Sequence, residues 1–180
     1  MNVDEAIAGR RSVLHVSDAE VPRPVIEELL VAATWAPNHK LTEPWRFVVV
    51  AGDARRELGE AHADAVGAEG DARLGQIALT HRAPVIVVCI AHYEDADPVR
   101  RREDRDAVAA AIQNLLLAAH ARGLGAIWRT GPFCDEVPVR DHLGVANGDD
   151  LVGFVYLGWP EQIPPTPSRR PVEEVTTWRG

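Results

Sequence analysis

Ala107-Val108-Ala109-Ala110-Ala111-Ile112-Gln113-Asn114-Leu115-Leu116-Leu117-Ala118-Ala119 is the stretch on which the reading of this chain turns. Gln113 and Asn114 are its only polar residues. A helix that is apolar nearly all round is normally buried on every side. In a chain of 180 residues a single sheet is too small to cover it completely. A subunit interface is the natural second cover, with a fully intramolecular core as the alternative.

Working outward, Asp97 to Asp106 is a mixed-charge stretch that opens a helix, and Pro84 upstream introduces a strand from Val85 to Ala91. Downstream, Gly123 and Gly125 lead into a short strand, Ala126-Ile127-Trp128. Val137 to Leu143 reads as a short helix closed by Gly144, and Val152 to Leu157 as a last strand ending at Gly158. Near the start, residues 3–9 predict a short helix with Asp4 and Glu5 at its positive end, broken by Gly9. Asp18 through Pro24 opens a second helix, with Pro24 tolerated in its first turn. Val25, Ile26, Leu29, Leu30 and Ala33 give it an apolar stripe, and Pro37 ends it. Phe47-Val48-Val49-Val50 is a β-branched run typical of a buried strand. Residues 53–67, charged and alanine-rich, read as a surface helix, and residues 71–80 as another. Strands and helices mix without strict alternation, so the expected class is α+β rather than a doubly wound sheet. Residues 1–180 form one expected domain. From Pro160 the prolines at 164, 165, 167 and 171 make 160–180 an extended tail.

Composition narrows the function. Hydrophobic residues make up 46% and charged residues 26%, ordinary for a globular chain with a real core. No apolar run approaches the length that crosses a bilayer, and Met1-Asn2-Val3-Asp4-Glu5 lacks the flank of a signal peptide. The expectation is a cytoplasmic protein with no membrane partner. A formal net charge of -8 argues against nucleic acid, whose affinity comes mainly from neutralised phosphates. An acidic protein that binds a small phosphate must instead gather its arginines locally. Cys89 reads as a buried small hydrophobe and Cys134 as a loop residue; their separation fits neither a metal site nor a redox motif, and a reducing cytosol opposes a disulfide.

Three places concentrate polar groups. Arg10-Arg11-Ser12 offers two guanidinium forks and a hydroxyl, which suit a phosphate monoester; two solvated surface arginines are the plain alternative. Trp35-Ala36-Pro37-Asn38-His39-Lys40 with Pro44-Trp45 puts aromatic, amide, imidazole and amine groups on one loop; a helix C-cap with His39 exposed is the alternative. Trp128-Arg129-Thr130-Gly131-Pro132 ends a strand where ligands commonly bind; an arginine paired with an acidic neighbour is the alternative.

In their order and spacing these segments resemble the nitroreductase family, in its short branch of FMN-dependent NAD(P)H oxidoreductases. The resemblance also takes in Gln113-Asn114, Gly123-Leu124-Gly125 and the closing Gly153-Phe154-Val155-Tyr156-Leu157-Gly158, nearly the whole chain. It implies a nitroreductase-like fold, with a central, mostly antiparallel sheet flanked by helices, in an intertwined homodimer with FMN sites at the subunit interface. It implies that Arg10, Arg11 and Ser12 hold the FMN phosphate and ribityl chain. Trp128, Arg129 and Thr130 would complete that site in the same subunit, with Arg129 near the phosphate. Trp35 and His39 would reach the flavin from the partner. Some relatives carry arginine at the Trp35 position.

The implied activity is electron transfer from NADH or NADPH to small acceptors such as nitroaromatics or quinones, in a ping-pong hydride cycle. The flavin then carries the chemistry, and no protein residue acts as nucleophile and no metal is needed. A non-catalytic flavin-binding protein, for storage or sensing, is the alternative. A dinucleotide-binding dehydrogenase is rejected, because Gly123-Leu124-Gly125 follows a helix and precedes a strand, the reverse of what that fingerprint requires.

Overall fold

The computed structural model describes residues 1–94 and 96–180. Four strands, β1 (Trp45–Ala51), β2 (Val85–Ala91), β3 (Gly125–Arg129) and β4 (Asp150–Gly158), form one antiparallel sheet in the order β1-β2-β4-β3. The helices are α1 (Val3–Gly9), α2 (Arg23–Thr34), α3 (Ala54–Ala65), α4 (Gly70–Ala78), α5 (Pro98–Ala121) and α6 (Val137–His142). The class is α+β, as the unordered mixture of elements predicts.

Helices cover both faces of the sheet. On one face Val85, Val87, Cys89, Val152, Val155 and Leu157 pack with Ile26 and Leu29 of α2 and with Val108, Ile112 and Leu115 of α5. On the other, Ile86, Val88, Ile90, Phe154 and Tyr156 pack with Leu58 of α3 and Val139 of α6. That is why β2 is an unbroken apolar run: every one of its residues is buried. The Phe47–Val50 run differs from its expectation. It belongs to an edge strand, and Val49 is exposed.

Two further expectations are corrected by packing. The helix over 53–67 is not purely superficial, since Leu58, Gly59, His62 and Ala63 of α3 are buried. Cys134 is a buried residue of a short 3-10 turn rather than an open loop residue. Its thiol is pushed up to about 11 by burial, with Asp135 adding to the shift. Both cysteines are free.

The helix opened by 97–106 and the apolar segment 107–119 are one element. Asp97 caps α5 by accepting from the Val99 N–H at 3.0 Å, and Pro98 occupies the first turn. Ala107, Val108, Ala111, Ile112, Leu115, Leu116 and Ala119 are buried. Ala110, Asn114 and Leu117 stay half-buried and Gln113 is exposed, at the spacing of a single helical stripe. One chain leaves this stripe uncovered. No helix among the described residues is long and apolar enough to cross a membrane.

Candidate functional site

The polar segments nearest the N-terminus are laid along the β3 edge by backbone pairing. Helix α1 starts with a capping box in which Asn2 and Glu5 bond each other's backbone N–H, each at 2.9 Å. It ends at Gly9, where a side chain would meet His120 Nε2 of α5 at 2.7 Å. The chain leaves the helix at Arg10 and runs alongside β3, with Ser12 bridged to Ala126 and Val13 N–H bonded to the Ala126 carbonyl at 3.1 Å. Gly125 permits this approach, because a Cβ there would lie 2.8 Å from Val13 Cγ1. Beyond it, Ser17 N–H bonds the Trp159 carbonyl at 2.8 Å and Glu161 N–H the His15 carbonyl at 3.1 Å, so the root of the tail is stitched to the same segment.

The tail then returns charge to this edge. Arg11 Nη2 donates to Thr166 Oγ1 at 2.5 Å. Arg10 is half-buried, and its ionisation is shifted down by burial first and then by Arg11 and Arg169. No carboxylate is within ion-pairing distance of these three guanidinium groups among the described residues. Three like charges gathered in a protein of net charge -8 make a local positive field that favours an anion. The hydroxyl-bearing Ser12 is exposed beside them.

Trp128, Arg129 and Thr130 lie farther along the same edge. Arg10 precedes the Ser12–Ala126 bridge by two residues and Arg129 follows it by three. Trp128 donates its indole N–H to the Val152 carbonyl at 3.4 Å, lying over Gly153, where a Cβ would collide with the indole. Arg129 lies over the Tyr156 ring at 5.3 Å, and its Nε is buried with no hydrogen-bond partner among the described residues. Burial raises the Tyr156 phenol, opposed by Arg129 and Arg82. Arg129 borders two cavities, of about 430 and 380 Å3, and neither is lined by Arg10 or Arg11.

Trp35 and His39 are placed elsewhere. Trp35 caps α2 and is 82% exposed. His39 pairs through Nδ1 with Glu103 of α5 at 3.2 Å, in the loop that leads into β1, the sheet edge opposite β3. One protomer therefore does not bring Trp35 or His39 to Arg10.

The chain as a whole can be set beside known proteins. Residues 7–159 match the sequence model of the Nitroreductase family. The chain belongs to the nitroreductase family. It is 32% identical over 164 residues to YdjA of Escherichia coli (strain K12), provisionally named an NAD(P)H nitroreductase, covering 89% of this chain and 90% of YdjA. A nitroreductase-like family protein from Bacillus cereus shares the fold with a TM-score of 0.90 at 30% identity, over 99% of this chain and 96% of that one. A Desulfovibrio desulfuricans protein solved in complex with FMN gives a TM-score of 0.78 at 29% identity, over 100% of this chain and 98% of that one.

The family fold explains which residues the sequence brought together and which it hid. In this nitroreductase the two segments Arg10–Ser12 and Trp128–Thr130 lie along one sheet edge. Arg169 was not singled out, although Ser168-Arg169-Arg170 mirrors Arg10-Arg11-Ser12 and is its only sequence signal. His62 was not singled out either. Its Nδ1 lies 2.6 Å from Glu136 and its Nε2 3.1 Å from Gln76, joining α3, α4 and the start of α6.

Proposed function

We propose that this nitroreductase is an FMN-dependent oxidoreductase that takes electrons from NADH or NADPH and passes them to small acceptors such as nitroaromatics or quinones. The observation that carries the reading is the cluster of half-buried Arg10 and Arg11 with exposed Arg169, without a carboxylate among the described residues, on an edge that also holds the Arg129 Nε, buried with no hydrogen-bond partner among them. Its donors fit a phosphate monoester at one end and a polar ring system at the other. Arg10, Arg11, Ser12 and Arg169 would hold the phosphate. Trp128, Arg129 and Thr130 would complete the site in the same subunit.

FMN, when bound, supplies a ring that accepts and returns a hydride. The chain's part is to hold that ring, exclude water around it and leave one side open to donor and acceptor in turn, a ping-pong order. Trp35 and His39 would reach the cofactor from the partner subunit, with the exposed indole of Trp35 acting as a wall for flat acceptors. The half-open α5 stripe of Ala110, Gln113, Asn114 and Leu117 is the surface that would bring the two copies together. None of these residues is assigned a nucleophile's or a general acid's role. Anaerobic mixing of the FMN-loaded protein with NADH or NADPH tests the reading: the flavin absorbance at 450 nm bleaches with no acceptor present. A flavin that stays oxidised with both donors would refute it.

A further inference from the structure

We infer that the cavity between the 40–44 loop and the N-terminal half of α5 is a binding site for a primary carboxamide, a neutral group that donates and accepts at adjacent atoms. The cavity encloses about 350 Å3 and is lined by Lys40, Thr42, Pro44, His92, Glu94, Arg100 and Asp104. That volume is within the range of small-molecule sites. It shares no residue with the Arg10 edge or with the cavities beside Arg129.

Its polar groups are unequally satisfied. Arg100 and Asp104 lie one helical turn apart on α5 and so share a face. Arg100 Nη1 is buried with no hydrogen-bond partner among the described residues. Asp104 is 3% exposed, and among the described residues its carboxylate receives one hydrogen bond, from Thr42 Oγ1 to Oδ1 at 2.6 Å. No cation lies within ion-pairing distance of Asp104 among the described residues. His92 is turned to a different partner, Asp149, at 3.0 Å. A buried donor and a buried acceptor are thus left to be matched by one ligand, since buried polar groups are costly unless paired.

Charge selects the ligand class. Lys40 and Arg100 bring two positive charges and Glu94 and Asp104 two negative ones. A carboxylate drawn to Arg100 would meet the Asp104 carboxylate, and an ammonium drawn to Asp104 would meet Arg100. A carboxamide offers its carbonyl oxygen to Arg100 and its N–H to Asp104 and meets neither repulsion. The rim is held in an unusual backbone conformation, with Lys40, Leu41 and Glu43 at φ +54°, +55° and +45°. Such conformations in residues other than glycine persist where the surrounding structure imposes them.

The same group is found in two sources, the nicotinamide of an electron donor and an amide-bearing acceptor. This step deepens the proposed function by naming what the donor or acceptor presents to the protein, and it rests on that reading only for the choice between them. Calorimetric titration of the FMN-loaded protein with nicotinamide, nicotinate, 4-nitrobenzamide and 4-nitrobenzoate tests it. The amides are expected to bind about tenfold or more tightly than the matching acids, the discrimination that follows when a site's buried polar groups lose their partner. Tighter binding of nicotinamide than of 4-nitrobenzamide assigns the cavity to the donor, and the reverse to the acceptor. Asp104→Asn and Arg100→Met, at unchanged flavin content, should each weaken amide binding by about tenfold or more. Arg100→Met decides the matter if Asp104→Asn does not fold. Lys40 is the chain's only lysine, so acetylation of amines followed by mass spectrometry reads the rim directly. Bound amide should protect Lys40 relative to the Met1 amine. Acids that bind as tightly as amides, or a folded Arg100→Met variant that binds amides as the wild type does, would overturn the inference. Failure of the FMN reading leaves a different trace, a colourless protein on which the amide titration can still be run.

Discussion

Arg10 shows at the scale of one residue how an acidic chain makes an anion site. Burial and two like neighbours already strain its charge, so an arriving phosphate relieves a cost as well as adding hydrogen bonds. Arg10→Ala should weaken FMN binding by about 10- to 150-fold, from the roughly 1.5–3 kcal/mol of a charge-assisted hydrogen bond. Quenching of FMN fluorescence on titration reads this, and an unchanged affinity would remove Arg10 from the site. Gly153 makes a second case. A methyl group there would push into the Trp128 indole and lie 2.7 Å from the Arg129 carbonyl oxygen. Gly153→Ala should lower stability by about 1–3 kcal/mol in urea unfolding, as overpacking does.

Cys134 gives a pH prediction of definite sign. Its folded-state pKa is raised to about 11 from an unfolded value of 9.0. Above pH 9 the unfolded chain releases this proton while the folded chain keeps it. The stabilisation present below pH 9 is therefore lost as pH rises toward 11. Cys134→Ala should flatten the fall in melting temperature over that window. The residues legible beforehand were those contiguous in sequence, such as Arg10-Arg11-Ser12. Arg169 and the His62–Glu136 pair, 74 positions apart, join their partners only through the fold, and no local pattern announces them.

Elements were legible in proportion to how strongly one solvent environment marked them. β2 is buried on both faces and reads as an unbroken apolar run, and its bounds from the letters and from the structure coincide. In α3 a single large apolar residue, Leu58, carries the buried face among alanines and charges, so the letters suggested only a surface helix. The Phe47–Val50 run misled in the opposite direction, since β-branched residues suit an edge strand as well as a central one. Helix α5 is the keystone of one face, and Leu115 within it is fully buried. Leu115→Ala should cost about 2–5 kcal/mol in the same unfolding assay. Gln113→Ala, on the half-open stripe, should leave the chain's own stability nearly unchanged while altering the mass of the assembly. A variant that unfolds as Leu115→Ala does would place that stripe inside the core instead.

For the whole molecule, the separation of Trp35 and His39 from the Arg10 edge sets the argument. Either these residues serve different sites, or two copies build one site together. Hybrids of an Arg10→Ala chain and a Trp35→Ala chain distinguish the two. If each site draws on both copies, a hybrid pair holds one intact site and one doubly damaged site, so mixing two impaired proteins raises activity above that of either alone. Independent sites give no such rise. The tail follows the same logic: its root is fixed by Val16 and Pro160, yet Trp178 is 89% exposed in a single chain.

The most direct test of the central claim is sedimentation velocity of the FMN-loaded protein recorded at 450 nm. One yellow species at twice the 19.6 kDa chain mass, carrying one FMN per chain, is expected. A colourless species of 19.6 kDa, with all added FMN sedimenting as free ligand, would contradict the claim.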